Sequence, residues 1–355
     1  MSDPLPDALL ALGWSPAWEA KLAQLNDPGL LPARVVLMQK GAHRVATGET
    51  EWFAPLTGKL RYVADSAGDL PAVGDWVAVP ALDGPIVAVL PRASSFTRKA
   101  PGSRATEQVV ASNVDTVFLV MGLDGDFNIR RIERYLGVAW ASGATPVMVL
   151  TKTDTCTTLD TYLAEVATVA GETPVHAISV YAETGLEALA QYLIPGETLA
   201  LLGSSGVGKS TLLNRLIGGD VQKTGAVRGD DSRGRHTTSH RELFRLPGGA
   251  LMIDTPGMRE MQLWDAGEGL DIAFADITVL ADACRFRDCL HEAEPGCAVN
   301  AALTAGTLDA DRFASYQKLL KEQAHVTRQT DIKAQQAEKS KWKAITKSMR
   351  DFSKE

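Results

Sequence analysis

The segment that most limits how this chain can fold begins at Gly203 and reads GSSGVGKS. Its G-x-x-x-x-G-K-S spacing is that of a phosphate loop; the apolar run TLALL comes before it, and STLLNRL can begin a helix after it. A buried strand that leads through such a loop into a helix indicates an α/β domain with helices on both faces of its sheet.

The residue types in this loop suit a nucleoside triphosphate. Glycines let backbone N–H groups turn toward phosphate oxygens, Lys209 reaches the β and γ phosphates, and the Ser210 hydroxyl binds Mg²⁺. A glycine-rich turn without a ligand is the alternative, and the flanking strand and helix count against it. The predicted contacts of the loop are Gly203, Ser204, Ser205, Gly206, Val207, Gly208, Lys209, Ser210 and Thr211.

A second motif is expected to recognise the base of the nucleotide. After the apolar run VMVL come Thr151, Lys152, Thr153 and Asp154, close to the N-K-x-D signature that reads guanine. The Asp154 carboxylate would accept from the ring N–H and the amino group of guanine, a pair of donors that adenine does not present. Thr151 replaces the usual Asn, which puts the contacts of that Asn in doubt. Ser179, in AISV, resembles the next base-contacting loop.

A third set of residues concerns Mg²⁺ and hydrolysis. Asp254 and Gly257 match D-x-x-G at a strand end, where Asp254 would hold Mg²⁺ and the Gly257 N–H would meet the γ-phosphate. The position after Gly257 holds a methionine, which cannot orient water, so hydrolysis by the isolated protein is expected to be slow. In the segment before Asp254, one of two threonines is expected to close on Mg²⁺ and a histidine to orient water. These candidates are Thr237, Thr238 and His236.

The order of the motifs is unusual. Ordinary GTPases carry the phosphate loop, the switch threonine, D-x-x-G and N-K-x-D in that order, whereas here the base motif comes first. Parallel strands can be joined in another order without moving the site if the original termini lie close together. The sequence therefore predicts a circularly permuted GTPase domain.

Three cysteines and a histidine lie close together near the C-terminus. Cys284, Cys289, His291 and Cys297 form C-x4-C-x-H-x5-C. Three thiolates and an imidazole suit a closed, tetrahedral zinc site, which leaves no position for a reactive water. We therefore predict one structural Zn²⁺, with unmetallated cysteines as the alternative; Cys156 is expected to be a packed residue.

Changes in composition and hydrophobic pattern along the chain predict four parts. A helical extension, 1–32, precedes a small barrel, 33–97, of β-type runs such as EWFAPLTGKLRYV. An OB-type barrel is expected and an SH3-like barrel is the alternative. The polar stretch 95–113 is expected to be a linker or a mobile loop where the barrel meets the GTPase domain, 98–269. Residues 270–355 are expected to form a zinc-binding helical domain with a basic C-terminal helix.

Composition limits location and partners. The 355 residues contain no apolar run long enough to span a bilayer and no secretory signal, so we expect a cytoplasmic monomer that binds neither membranes nor DNA. A net charge of −7 does not exclude local RNA contacts. Candidate RNA contacts are Trp52, Phe53, Lys59, Arg61, Tyr62 and the basic run 339–350.

Together, GDWV, GSSGVGKSTLLN, GRHTT, DTPGMRE and CRFRDCLHEAEPGC resemble the circularly permuted, ribosome small-subunit-dependent GTPases of the ribosome biogenesis GTPase A type. The resemblance covers 33–355. It implies binding to the small ribosomal subunit and its rRNA late in maturation, cycling between GTP and GDP forms, and hydrolysis that is faster on the subunit.

Two other functions remain open from the residues alone. One is a phosphate-loop kinase, which would need a lid and an acceptor pocket. The other is an RNA-binding assembly factor with a regulatory or vestigial nucleotide site. The presence of Lys209, Ser210 and Asp254 favours an active GTPase.

Overall fold

The computed structural model contains a β-rich part, an α/β part and a helical C-terminal part in chain order. Two short helices, α1 (Asp7–Leu10) and α2 (Pro16–Ala23), come first. The structure describes residues 7–39, 41–64, 66–99, 107–218, 241–254 and 267–330. Among the described helices, none has the length and apolar character needed to cross a bilayer.

The N-terminal helices cover the outside of the β-rich part. The buried ring of Trp14 lies edge-on to Trp76, with 4.7 Å between ring centroids. Gly13 has φ 85°, and a Cβ there would lie 2.3 Å from the carbonyl oxygen of Gly196. The extension therefore also touches the segment that leads into the phosphate-loop strand.

The β-rich part has five short strands, as predicted, and its own apolar core. A parallel bridge between Leu56 and Ile86 joins the segment after the third strand to the segment before the fifth. The run EWFAPLTGKLRYV is only partly a strand: α3 (Gly58–Val63) begins where the Thr57 hydroxyl accepts from the Leu60 N–H. The OB assignment stays a prediction. The strands are β1 (Leu31–Gln39), β2 (Ala42–Ala46), β3 (Glu51–Ala54), β4 (Trp76–Val79) and β5 (Ala88–Val89).

The prediction of a linker or a mobile loop at residues 95–113 is wrong for the part of this stretch that the structure describes. β6 (Ser95–Lys99) and β7 (Glu107–Ser112) pair as an antiparallel hairpin. Phe96 and Val110 are buried in the main core, so packing of these apolar side chains holds the hairpin in place. The many polar residues of this stretch gave no indication of that packing in the sequence.

The α/β part is built on parallel strands, as their continuous apolar runs predict. The strand order is β10-β9-β8-β11-β13-β12, and only β12 is antiparallel within this set. These strands are β8 (Thr116–Gly122), β9 (Thr145–Thr151), β10 (Val175–Ala177), β11 (Thr198–Leu202), β12 (Arg241–Arg245) and β13 (Leu251–Asp254).

Helices cover both faces of this sheet. α4 (Ile129–Ser142) and α5 (Leu159–Ala170) pack on one face, and α6 (Lys209–Ile217) packs on the other. The amphipathic α4 ends at Gly143, whose φ of 84° suits a left-handed cap.

The sheet continues from the α/β part into the β-rich part. β1 pairs with β12 through Leu37 opposite Glu242 and Met38 opposite Arg241. Buried Arg34 on β1 donates to the Thr198 hydroxyl at 2.7 Å and to the Leu12 carbonyl. The β-rich part is therefore joined to the α/β part by main-chain pairing as well as by side chains.

Four described helices form the C-terminal part: α7 (Gly267–Ala273), α8 (Ala275–Asp282), α9 (Ala298–Ala305) and α10 (Ala310–Thr330). Arg312 on α10 donates to Glu133 of α4 at 3.0 Å and to both carboxylate oxygens of Asp276 at 2.7 Å. Arg134 of α4 makes two hydrogen bonds to Glu322 of α10. These ion pairs fix α10 against α4.

Candidate nucleotide-binding site and metal centre

The three motifs predicted to bind the nucleotide lie at the carboxyl edge of the parallel strands. β9 ends at Thr151, β11 ends at Leu202 and β13 ends at Asp254. Because ligands of such sheets bind beyond the carboxyl ends of the strands, this edge is where a nucleotide is expected. The permuted motif order therefore does not separate the motifs in space.

The phosphate loop runs from the end of β11 to the start of α6. A Cβ at Gly203 would lie 2.4 Å from the Val120 carbonyl oxygen, so only glycine fits against β8 there. Gly206 and Gly208 have φ of 84° and 98°, which favours glycine. The Lys209 ammonium donates to the carbonyl oxygens of Gly203, at 2.6 Å, and Ser204. Ser205 lies between Gly203 and Gly206 in the chain, and Ser210 and Thr211 lie in the first turn of α6.

Thr151 links the base motif to this loop. Its hydroxyl, on a side chain only 2% exposed, lies 2.6 Å from the Val207 carbonyl oxygen and 3.3 Å from that of Met121. A hydroxyl has one proton, and the shorter distance assigns it to Val207. A threonine in place of Asn therefore keeps a direct hydrogen bond between the base motif and the phosphate loop.

The other base-motif residues are also held in place. Lys152 has φ 64° and its ammonium lies 2.5 Å from the Asp124 carboxylate. Asp154 is exposed, and one of its oxygens accepts from the Ser179 hydroxyl at 2.5 Å. Ser179 is buried and accepts in turn from the Ala182 N–H at 2.9 Å. Asp154 and Ser179, predicted to belong to adjacent base loops, are thus in direct contact.

Three residues at this edge were missed in the sequence: Asp124, Asp126 and Arg131. Asp124 and Asp126 follow β8, and Arg131 lies in the first turn of α4. Burial raises the pKa of Asp124, but hydrogen bonds from Lys152 and from the Asp126 N–H outweigh it, so the pKa lies below its ordinary value. Acidic residues directly after a buried strand, in GLDGDFN, were the signal that would have found them.

Asp254 closes the other side of the edge. β13 lies beside β11, with Ile253 opposite Ala200, and Asp254 is half-buried at its end. Asp254 therefore ends the strand that neighbours the phosphate-loop strand, and its Mg²⁺ role stays a prediction. Four other predicted residues lie outside the described residues: Gly257, His236, Thr237 and Thr238.

The predicted zinc ligands come together between α8 and α9. Their four ligand atoms lie within 4.8 Å of one another, and the His291 Nδ1 is 3.4 Å from the Cys297 sulfur. Three sulfurs and one imidazole nitrogen at such separations fit a tetrahedral Zn²⁺. Cys297 caps α9, where its sulfur accepts from the Asn300 N–H at 3.4 Å. Cys284 and Cys289 complete the set, whereas Cys156 packs against the main core.

The RNA-contact candidates of the β-rich part divide into two groups. Trp52 is a core residue whose indole N–H donates to the Gly84 carbonyl at 2.9 Å, so it offers no stacking face. Phe53 and Tyr62 are 59% and 90% exposed, and Lys59 and Arg61 are also exposed. The basic run 339–350 lies outside the described residues.

The strand order, the phosphate loop at β11 and the base motif earlier in the chain define a circularly permuted GTPase. The family model described as RsgA GTPase matches residues 89–264. "Small ribosomal subunit biogenesis GTPase RsgA" of Opitutus terrae is 49% identical, over 96% of this chain and 97% of the relative. This chain belongs to the RsgA GTPase family.

Other relatives and solved structures agree. "Small ribosomal subunit biogenesis GTPase RsgA 2" of Lactiplantibacillus plantarum is 47% identical, over 89% of this chain and 90% of the relative. YjeQ from Thermotoga maritima has a TM-score of 0.61 at 27% identity, over 83% of this chain and 99% of the other. YloQ, described as a circularly permuted GTPase, has a TM-score of 0.59 at 25% identity, over 83% and 96%. The permutation and the GTPase prediction are confirmed, and the kinase alternative is not supported.

Proposed function

We propose that this chain hydrolyses GTP in the biogenesis of the small ribosomal subunit. Two relatives, 49% and 47% identical, are named as small ribosomal subunit biogenesis GTPases. The observation that carries the proposal is the 2.6 Å contact between the Thr151 hydroxyl and the Val207 carbonyl oxygen, which joins the base motif to the phosphate loop at one edge of the sheet.

At this edge, Asp154 would accept from guanine, with Ser179 holding its carboxylate, while Lys152 is held by Asp124. The phosphate loop would surround the phosphates of GTP or GDP with backbone N–H groups, and Lys209 would donate to the β and γ phosphates. Ser210 and Asp254 would hold Mg²⁺, which when bound offsets charge that develops on the phosphate oxygens.

The chemical step is expected to depend on a partner. The position after Gly257 is occupied by Met258, which offers no hydrogen bond to an attacking water. We propose that Thr237 or Thr238 closes on Mg²⁺ and that His236 orients the water once the small subunit is bound. Hydrolysis would then be slow in the isolated protein and faster on the subunit.

The remaining surfaces fit the same assignment. We propose that the exposed Phe53, Tyr62, Lys59 and Arg61 contact rRNA, since aromatic faces stack on bases and cations follow phosphates. The Cys284-Cys289-His291-Cys297 cluster would hold one structural Zn²⁺. A cytoplasmic monomer remains the expected form.

The test combines binding and turnover. The protein is mixed with isolated small subunits and either GDP or a non-hydrolysable GTP analogue, and sedimentation measures co-migration. Co-migration with the analogue and a rise in GTP turnover on the subunits are expected, and Asp154→Asn is the matched variant that should lose both at the same GTP concentration. Turnover of ATP in preference to GTP, or no co-migration with either nucleotide, would refute the assignment.

A further inference from the structure

The loop between β8 and α4, residues 123–128, connects the two halves of the nucleotide site. The Asp124 carboxylate accepts from Lys152 of the base motif and from the Asp126 N–H, at 2.5 and 3.1 Å. The Asp126 carboxylate accepts from the Ser204 hydroxyl of the phosphate loop. Each half of the site thus holds one of the two acidic side chains of this loop.

Arg131 completes the contact on the phosphate side. Its guanidinium lies 2.7 Å from the Asp126 carboxylate and 2.9 Å from the Ser204 hydroxyl oxygen. Ser204 is therefore held at two points, because its carbonyl oxygen accepts from Lys209 while its hydroxyl lies between Asp126 and Arg131.

The charges of this cluster balance. Burial raises the pKa of Asp126, but hydrogen bonds from Arg131 and Ser204 outweigh it and keep the pKa below its ordinary value, so the carboxylate is ionised at neutral pH. A carboxylate in contact with a phosphate loop repels a triphosphate unless a cation neutralises it. Arg131 is placed to supply that cation.

We propose that Arg131 is a positioning residue for GTP: it neutralises Asp126 and holds Ser204, so that the phosphate loop keeps both its shape and its attraction for phosphates. This inference rests on the proposed GTPase function. It predicts that removing Arg131 alone weakens GTP binding, because the negative charge of Asp126 is then no longer neutralised. Removing both charges should restore most of the GTP affinity.

The test uses Arg131→Met, Asp126→Asn and the double variant, with Arg130→Met as the matched control. Arg130 is the neighbouring arginine, and it pairs with Glu133 and Asp309, away from the phosphate loop. Affinities for GTP and GDP are measured at low and high salt with a fluorescent nucleotide, and melting temperatures report folding.

We expect Arg131→Met to weaken GTP binding roughly tenfold and GDP binding roughly threefold. Because salt screens charges, the difference in affinity between this variant and the wild type should be smaller at high salt. The double variant should bind GTP within about threefold of the wild type, and Arg130→Met should bind normally. Arg131→Lys, which keeps the charge, should recover most of the affinity.

Two outcomes overturn the inference. Arg131→Met with unchanged GTP affinity would show that the loop does not need the guanidinium. A double variant as weak as Arg131→Met, or weaker, would show that charge balance is not the cause. If the wild-type protein binds no guanine nucleotide, the proposed function fails instead, so the two failures are distinguishable.

Discussion

Replacing Thr151 by Val tests the link on which the site is built. Valine has nearly the shape of threonine but no hydroxyl, so the Val207 carbonyl oxygen loses a donor 2.6 Å away in a place that water does not reach. Leaving a buried polar group unsatisfied costs about 1–3 kcal/mol. If about half of this cost, about 0.5–1.5 kcal/mol, falls on the loop in its phosphate-binding shape, the affinities for GDP and GTP should fall by roughly twofold to twelvefold.

Titration calorimetry with GDP measures this loss, and the melting temperature should fall by about 2–6 °C. Thr151→Ser keeps the hydroxyl and should bind close to the wild type. Thr168→Val is the matched control, since the Thr168 hydroxyl also donates to a carbonyl, that of Glu165 at 2.7 Å, but on an exposed helix face. Thr151→Val with wild-type affinity and melting temperature would refute the argument.

Further predictions concern base choice, zinc, the interface of the C-terminal helices and pH. Asp154→Asn replaces an acceptor by a donor and should shift preference from guanine toward xanthine nucleotides, which competition binding would detect. Cys297→Ser, or a strong chelator, should release zinc and lower the melting temperature; an unchanged value would contradict a structural site. Arg312→Met removes one of the two arginines that pair with Glu133, which is only 1% exposed, and leaves Arg130 as the other. The free energy of unfolding, measured with denaturant, should fall by about 2–4 kcal/mol. The stabilising contribution of Asp124, whose pKa is lowered from 3.8, should be present above that value and lost as pH falls below it, so melting temperatures of wild type and Asp124→Asn should converge in acid.

Motifs whose spacing is local could be predicted from the sequence. The phosphate loop, the base motif and the zinc ligands each lie within fourteen residues or fewer, and their chemistry follows from residue types at fixed intervals. The buried strands could also be predicted, because apolar runs such as TVFLVMG leave few alternatives. The helix α3 and the hairpin β6-β7 could not, because a side-chain cap and burial of Phe96 decide them.

The chemistry and the permuted order of the motifs were therefore determined by the sequence alone, since each motif carries its own ligand atoms. Tertiary structure decided which motifs touch: Thr151 reaches Val207, Arg131 reaches Ser204, and β1 pairs with β12 some two hundred residues away in the chain. Such contacts depend on the lateral order of strands in the sheet. That order follows from packing of the whole chain and leaves no periodic signal in any one segment.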